Sequence, residues 1–314
     1  MDRELKLQIG GIGISIKWDG SKITDWPHPH YQDFVYEGKT EINLKVHCGN
    51  LPRSPQDKLI FDGEEGGYWK LYQNSSGYVV ETYDTLTHKK NKVCFVEPDF
   101  SSGDIYVDSQ SDNPHQPSKI PSKYRAWSLP SLMQPLGQLL LINILARGGG
   151  TMVHGLGIND GGKGIAFVGG SGRGKSTLAG FWKGKDGANI LSDEHIIIKK
   201  ENGQFFLYGT PWPGMAMATS SKRVRLEKIF FIGHSLENKI LGKATLSGLF
   251  PLLFLPFWDK ERLKSVLEFC EDLIKKIDCR RLGFLEDKGI VPFVREINQK
   301  EVRKNEKVYQ THGG

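Results

Sequence analysis

Cysteine is scarce in this chain and follows no functional pattern. The four cysteines, Cys48, Cys94, Cys270 and Cys279, form neither a C-x-x-C pair nor a Cys/His group with metal-ligand spacing. Zinc sites and disulfide frameworks both need such spacing. The sequence therefore predicts isolated thiols and argues against a zinc module or a disulfide-stapled scaffold.

Long hydrophobic runs are also missing. The most apolar stretches, "LGQLLLINILA" and "LFPLLFLPF", are much shorter than the roughly 20 residues that a membrane span needs. The N-terminal stretch "MDRELKLQIGG" has no apolar segment of the kind found in a signal peptide. We therefore expect a soluble, cytoplasmic protein with no membrane partner.

Charge of one sign does not dominate. The 42 basic and 36 acidic residues give a net charge of +6, and the excess is spread along the chain. Basic residues are not interleaved with aromatic ones, so nucleic acid is not an expected partner. A bound nucleotide alone would account for an excess of this size.

The chain of 314 residues, 38% of them hydrophobic, is long enough for two domains. Residues 1–110 alternate short β-rich runs with turn residues, which predicts a small, mostly antiparallel N-terminal β domain. The polar, proline-bearing stretch within 111–124 predicts a linker. Residues 125–314 are then a second domain with an α/β pattern.

The spacing of apolar residues in the second domain predicts helices and strands in alternation. Helices are predicted in "SLPSLMQPLGQLLLINILARGGG", "STLAGFWKG" and "DKERLKSVLEFCEDLIKKI". Strands are predicted in "TMVHGLGI", "GIAFVGG", "ANILS", "LEKIFFIGH", "RRLGFL" and "VPFVREI", and a hairpin in "HIIIKKENGQFFLYG" turning at Asn202-Gly203.

A glycine-rich loop lies between one such strand and helix. Gly169, Gly174, Lys175 and Ser176 satisfy G-x-x-x-x-G-K-[ST], a pattern whose backbone N–H groups curl around a phosphate at a helix N-terminus. Residues 169–174 are called the phosphate loop below. Lys175 is predicted to neutralise the β- and γ-phosphates and Ser176 to coordinate Mg²⁺, with Thr177 next in line. The predicted ATP-binding set is Gly169, Gly170, Ser171, Gly172, Arg173, Gly174, Lys175, Ser176 and Thr177.

An acidic pair follows one helix and one strand later. Asp193 and Glu194 end the strand "ANILS", where a carboxylate could hold Mg²⁺, accept a proton from an attacking hydroxyl, or merely cap a turn. The transporter signature "LSGGQ" and the GTPase motif N-K-x-D are both absent. Hydrolysis as the main task is therefore disfavoured.

The block from residue 153 to 198 resembles the core of the HPr kinase/phosphorylase family. His154-Gly155 on a strand, the loop Gly169 to Ser176 and the pair Asp193-Glu194 match that family's order and spacing. The segment "LYGTPWPG" is similar to one in HPr-kinase-related proteins of peptide-modifying gene clusters. The resemblance, over roughly 125–300, implies a mixed sheet with helices like that of the ATP-type phosphoenolpyruvate carboxykinases.

The same resemblance implies transfer of a phosphoryl group to a serine-type hydroxyl. It makes Asp193 the base, places His154 near the transferring phosphate and makes Ser176 a magnesium ligand. Asp193 and Glu194 are further candidates for the metal side, on their position at the strand end. Glu194 stands where the family usually has Asp, so which of the two carboxylates is base and which is metal-side stays open. Segments for recognising HPr, or for phosphorolysis, are not found.

Three further features have two interpretations each. His154 is either a catalytic residue or a buried strand residue, and Trp212 either lines the site or packs in the core. The run "SSKRVR", with Lys222, Arg223 and Arg225, is either a clamp for phosphate or an acidic substrate, or a solvated face.

Together these features predict a Mg-ATP-dependent serine kinase acting on a peptide or protein, with a ribosomally made precursor peptide as one candidate. A small-molecule alcohol kinase and a non-catalytic nucleotide-binding assembly module are the alternatives. Homo-oligomerisation is left open.

Overall fold

The computed structural model describes residues 3–19, 28–54, 58–63, 69–84, 87–108 and 127–297. The chain divides into two compact units. The first unit comprises Met1–Thr151 and Leu255–Glu268, and the second unit comprises Met152–Phe254 and Phe269–Gly314. The predicted linker at 111–124 lies outside the described residues.

The first unit contains an eight-stranded mixed sheet in the order β1-β2-β3-β8-β7-β6-β5-β4. β2, β3 and β8 are parallel neighbours and the other adjacent pairs are antiparallel. Alternate residues of β3 are buried, so its inward face is apolar. The strands are β1 (Arg3–Ile9), β2 (Ile12–Trp18), β3 (Ile42–Gly49), β4 (Lys58–Asp62), β5 (Trp69–Asn74), β6 (Gly77–Tyr83), β7 (Lys90–Val96) and β8 (Ser102–Asp108).

The short helices described in the first unit include α1 (Pro29–Gln32), α2 (Leu129–Met133) and α3 (Leu136–Leu145). The predicted domain boundary puts α2 and α3 with the phosphate loop, so the observed division of the chain differs from it. One physical reason is Lys92 on β7, which is buried and whose Nζ donates to the carbonyls of Ser131, Leu132 and Gln134 at 2.7, 3.0 and 2.7 Å. This contact ties α2 to the sheet.

The second unit contains another mixed sheet, in the order β10-β9-β12-β13-β14-β16-β15, with β11 beside β9 and a further pairing between β10 and β14. β10, β14 and β16 run parallel, so their carboxyl ends share one edge. The strands are β9 (Gly150–Asp160), β10 (Lys163–Val168), β11 (Ala188–Ser192), β12 (His195–Glu201), β13 (Gln204–Tyr208), β14 (Arg223–His234), β15 (Lys239–Lys243) and β16 (Asp278–Phe284).

The remaining helices include α4 (Lys175–Trp182), α5 (Leu246–Leu249) and α6 (Lys260–Lys276), with a 3₁₀ turn at Phe250–Leu252. The predicted helices at α4 and α6 are confirmed, as is the hairpin turn at Asn202 and Gly203, which both have positive φ. The prediction of a strand at "VPFVREI" is wrong, because residues 290–297 are helical. Ile290, Val291 and Val294 recur at helical spacing and are buried in the core against the sheet.

The two sheets and the few helices make the described part of the chain a mixed α/β protein. Among the described residues, none of the helices is both long and apolar enough to span a bilayer.

Candidate functional site

The phosphate loop connects β10 to α4 and depends on glycine for its shape. Gly172 and Gly174 have φ of 73° and 89°, and Gly174 is the left-handed N-cap of α4. A Cβ on Gly174 would lie 2.4 Å from Cζ of Phe284, the last residue of β16. A residue with a side chain at Gly174 would therefore be both strained and blocked. Within the loop, Ser171, Gly172 and Arg173 are exposed.

Lys175, the first residue of α4, points back into the loop. Its side chain is buried, and Nζ lies 2.9 Å from the carbonyl of Gly169 and 3.1 Å from that of Gly170. Nζ also lies 2.8 Å from Nε2 of His154. Burial lowers the pKa of Lys175, and the nearby carboxylates of Glu194 and Asp193 oppose that shift. The predicted phosphate-neutralising ammonium is thus held at the start of the loop.

His154 is brought to Lys175 by the register of two strands. Val168 at the end of β10 pairs with Gly155 of β9, so His154 lies beside the start of the phosphate loop. Its Nδ1 is 3.2 Å from Oε1 of Glu194. Burial, together with the neighbouring Lys175 ammonium, lowers the pKa of His154 to about 4. The ring is therefore neutral at pH 7, and its two contacts assign the tautomer: Nε2 accepts from Lys175 and Nδ1–H donates to Glu194.

Asp193 has a different environment from the one that the sequence analysis expected. The residue is fully buried. Its carboxylate accepts three backbone hydrogen bonds, from the N–H groups of Gly214, Ala216 and Ala218 at 2.9, 2.7 and 3.2 Å. It therefore anchors the segment 214–218.

Glu194 is the more accessible of the two carboxylates. Its side chain is 33% exposed, whereas Asp193 is 0% exposed. A Cβ on Gly214 would lie 2.9 Å from both Oδ2 of Asp193 and Oε2 of Glu194, so only glycine fits between them. Glu194 can therefore meet a molecule from outside while it contacts His154.

The predicted metal-side residues are only partly brought together by the described contacts. Ser176 and Thr177 lie half-buried in the first turn of α4, next to Lys175. Among the described residues, no group of three or more His, Cys, Asp and Glu side chains is arranged to hold a metal ion. Ligation of Mg²⁺ by Ser176, Asp193 and Glu194 stays a prediction.

Arg223 and Arg225 do not form a clamp at the phosphate loop, and a role toward an acidic substrate stays a prediction. Both lie at the start of β14, which pairs with the start of β10, at the opposite end from the phosphate loop. Arg223 forms an ion pair with Glu201, and Nε of Arg225 lies 3.5 Å from Glu227. The parallel pairing of β10 and β14 sets the position of the two arginines, and this pairing cannot be read from a single sequence. Lys222 is exposed.

Trp212 is mainly a packing residue. It is 6% exposed, and its ring centroid lies 6.5 Å from that of His195. His195 directly follows the acidic pair and also packs against Phe254, with centroids 5.0 Å apart. Burial lowers the pKa of His195. Sequence reasoning missed His195, although its position after Asp193-Glu194 at the start of a strand was a signal.

Two more residues at the phosphate loop were missed. His234, the last residue of β14, has Nε2 3.0 Å from the carbonyl oxygen of Gly172 and Nδ1 3.3 Å from Oε1 of Glu286. The strand "LEKIFFIGH" was predicted to end on His234, but its parallel alignment with β10 was not foreseen. That alignment is what places a strand-end residue beside the loop.

Comparison with known proteins gives a distant structural likeness. No protein-family profile and no curated protein matches the chain. Solved structures that match include the Hpr(Ser) kinase/phosphatase from Coxiella burnetii, at 11% identity and a TM-score of 0.33. The match covers 52% of this chain and 99% of that chain. Because the likeness is so distant, the function proposed below depends on the geometry of the site.

Proposed function

We propose that the protein is a Mg-ATP-dependent kinase that transfers the γ-phosphate to a hydroxyl, foremost a serine of a peptide or protein. The observation that carries the proposal is the convergence of Lys175, His154 and Glu194 beside a glycine loop at the start of a helix. A buried cation, a neutral imidazole and an accessible carboxylate at one point suit phosphoryl transfer to an incoming alcohol.

The residues present fit a nucleotide phosphate. The positive φ of Gly172 and Gly174 lets the loop backbone curve, and α4 directs its N-terminal N–H groups toward it. Lys175 would hold the phosphates, and Ser176 would contribute its hydroxyl to Mg²⁺. Mg-ATP, when bound, supplies the phosphoryl group that is transferred.

We assign Glu194 as the group that accepts the proton of the acceptor hydroxyl. Asp193 already accepts three backbone N–H bonds and is sealed from solvent, so it suits positioning better than proton transfer. Glu194 is exposed on one side and receives a hydrogen bond from His154 on the other. The O–H bond of the acceptor would break as its proton passes to Glu194, and His154 keeps that carboxylate oriented.

Two other functions use the same loop. A small-molecule alcohol would suit the carboxylate as well as a serine would. A nucleotide-binding assembly module would use the loop and Lys175 without a proton acceptor. The accessible Glu194 beside His154 favours transfer over binding alone.

The test is transfer of label from γ-labelled ATP. The full chain is incubated with Mg²⁺ and panels of serine-containing peptides, extract peptides and small alcohols, and we expect label on one class as a phosphate monoester. Lys175→Ala should abolish transfer because the phosphate-neutralising ammonium is lost, whereas Lys183→Ala, an exposed position at the end of α4, should not. Rapid ATP hydrolysis without an acceptor, and no labelled product, would rule out the kinase.

A further inference from the structure

We propose that His234 is a positioning residue that holds the phosphate loop in its binding conformation, and that Glu286 orients it. The proposal rests on the nucleotide-binding role of the loop proposed above. It extends the site to the carboxyl ends of β14 and β16, on residues outside the glycine motif and the acidic pair.

The first contact is between the ring and the loop backbone. Nε2 of His234 lies 3.0 Å from the carbonyl oxygen of Gly172, a residue with φ of 73°. A carbonyl oxygen only accepts hydrogen bonds, so Nε2 carries a proton in this contact. The bond ties down the loop at a position where the backbone has unusual freedom.

The second contact fixes the ring itself. Nδ1 of His234 lies 3.3 Å from Oε1 of Glu286, and both side chains are 50% exposed. Nε2 donates to the carbonyl of Gly172, and the contact with Glu286 holds the other nitrogen of the ring in place. The ring also packs against Phe284, with centroids 5.7 Å apart. A carboxylate and an aromatic ring therefore restrict the imidazole to one orientation.

Phe284 and Glu286 also lie against the end of the phosphate loop. The Cβ position of Gly174 is 2.4 Å from Phe284 and 3.4 Å from Oε1 of Glu286. Gly172 and Gly174 are thus both in contact with the group formed by His234, Phe284 and Glu286. Because β10, β14 and β16 are parallel, this group is placed at the loop by the core of the sheet.

The experiment compares His234→Ala, His234→Gln and Glu286→Gln with the unaltered full chain. Mg-ATP affinity is measured by calorimetry, and amide hydrogen exchange is measured at residues 172–174 in the nucleotide-free protein. We expect His234→Ala to weaken affinity by about 5- to 20-fold, since one hydrogen bond to the loop is lost, and to speed loop exchange. His234→Gln keeps an N–H donor, so its Mg-ATP affinity and its loop exchange rate should lie close to those of the unaltered chain. Both quantities for Glu286→Gln should lie between those of His234→Ala and the unaltered chain.

A matched control is available in the first unit. His47 pairs with Asp104 at 2.7 Å, and the two side chains are 42% and 46% exposed, much like His234 and Glu286. His47→Ala should change neither readout. At saturating Mg-ATP, the kcat of His234→Ala should stay within about threefold of the unaltered protein, because positioning of the loop affects binding first.

Unchanged affinity and unchanged loop exchange in folded His234→Ala would overturn the proposal, as would equal impairment of the Ala and Gln variants. If the unaltered protein fails to bind Mg-ATP, the proposed function is what fails. The exchange comparison at residues 172–174 then still decides whether His234 holds the loop.

Discussion

At the scale of single residues, the site separates two adjacent carboxylates by their surroundings. Asp193 faces inward to three backbone N–H groups, and Glu194 faces His154 and solvent. Sequence reasoning found both residues but could not tell them apart. The N–H groups that donate to Asp193 belong to the segment 214–218, more than 20 positions further along the chain. Their contact with Asp193 depends on the tertiary fold and has no local sequence signal.

The two carboxylates should respond differently to amide substitution. Glu194→Gln should keep stability but lower transfer at saturating Mg-ATP by about 10²-fold or more, because the proton acceptor is lost. Asp193→Asn places an NH₂ group among N–H donors and should lower the free energy of unfolding by about 2 kcal/mol. Denaturant unfolding and transfer kinetics measure the two effects. A stable Asp193→Asn variant with a large loss of kcat, beside an active Glu194→Gln, would make Asp193 the base instead.

His154 predicts a pH dependence of stability in the metal-free and nucleotide-free protein. Its pKa is about 4 when folded and ordinarily about 6.5. Between these values the unfolded chain binds a proton that the folded chain does not. The free energy of unfolding should therefore fall as the pH drops from about 6.5 to about 4, by at most about 3 kcal/mol, and then level off. His154→Gln should remove this contribution to the pH dependence, measured by denaturant unfolding from pH 7 to pH 4. If the free energy of unfolding changed with pH equally in the variant and the unaltered protein, the prediction would be wrong.

At the scale of elements, the strand, the glycine-rich turn and the helix at 163–182 were predictable because glycine spacing and apolar runs are local signals. The hairpin at Asn202-Gly203 was predictable for the same reason. The helix at 290–297 was not, since "VPFVREI" is rich in β-branched and aromatic residues that favour strands. Burial of Ile290, Val291 and Val294 against the sheet outweighs that local preference.

Two glycines around α4 offer a matched pair of substitutions. Gly174→Ala forces a side chain into φ of 89° and against Phe284, so it should cost about 1–3 kcal/mol and weaken Mg-ATP binding. Gly180→Ala lies within the helix with open space around it and should instead stabilise by about 0.5–1 kcal/mol. Thermal unfolding and calorimetry of both variants test this. Equal stability of the two variants would mean that the loop tolerates a side chain.

At the scale of the whole molecule, composition and pattern indicated a β-rich first half and an α/β second half, and the described residues form two mixed sheets with few helices. The division of the chain at α2 and α3 was beyond sequence reasoning. These helices follow the predicted linker in sequence, and their apolar pattern resembles that of a helix of the second domain. Their place in the first unit depends on tertiary contacts such as those of Lys92, a charged residue in a strand that gives no sequence signal for burial among carbonyls.

Lys92 therefore tests the organisation of the molecule. Burial lowers the pKa of its ammonium to about 8, yet three carbonyl acceptors hold it in place. Lys92→Met would leave those carbonyls without this donor and should lower the free energy of unfolding by about 1–3 kcal/mol, while Lys45→Met at an exposed position of β3 should not. The same variant gives a second prediction. Because Lys92 and α2 both belong to the first unit, Mg-ATP affinity of the folded Lys92→Met variant should equal that of the unaltered chain. Unfolding curves measure the free energy of unfolding, and calorimetry measures the Mg-ATP affinity. A loss of nucleotide affinity at temperatures where the variant is fully folded would contradict this prediction.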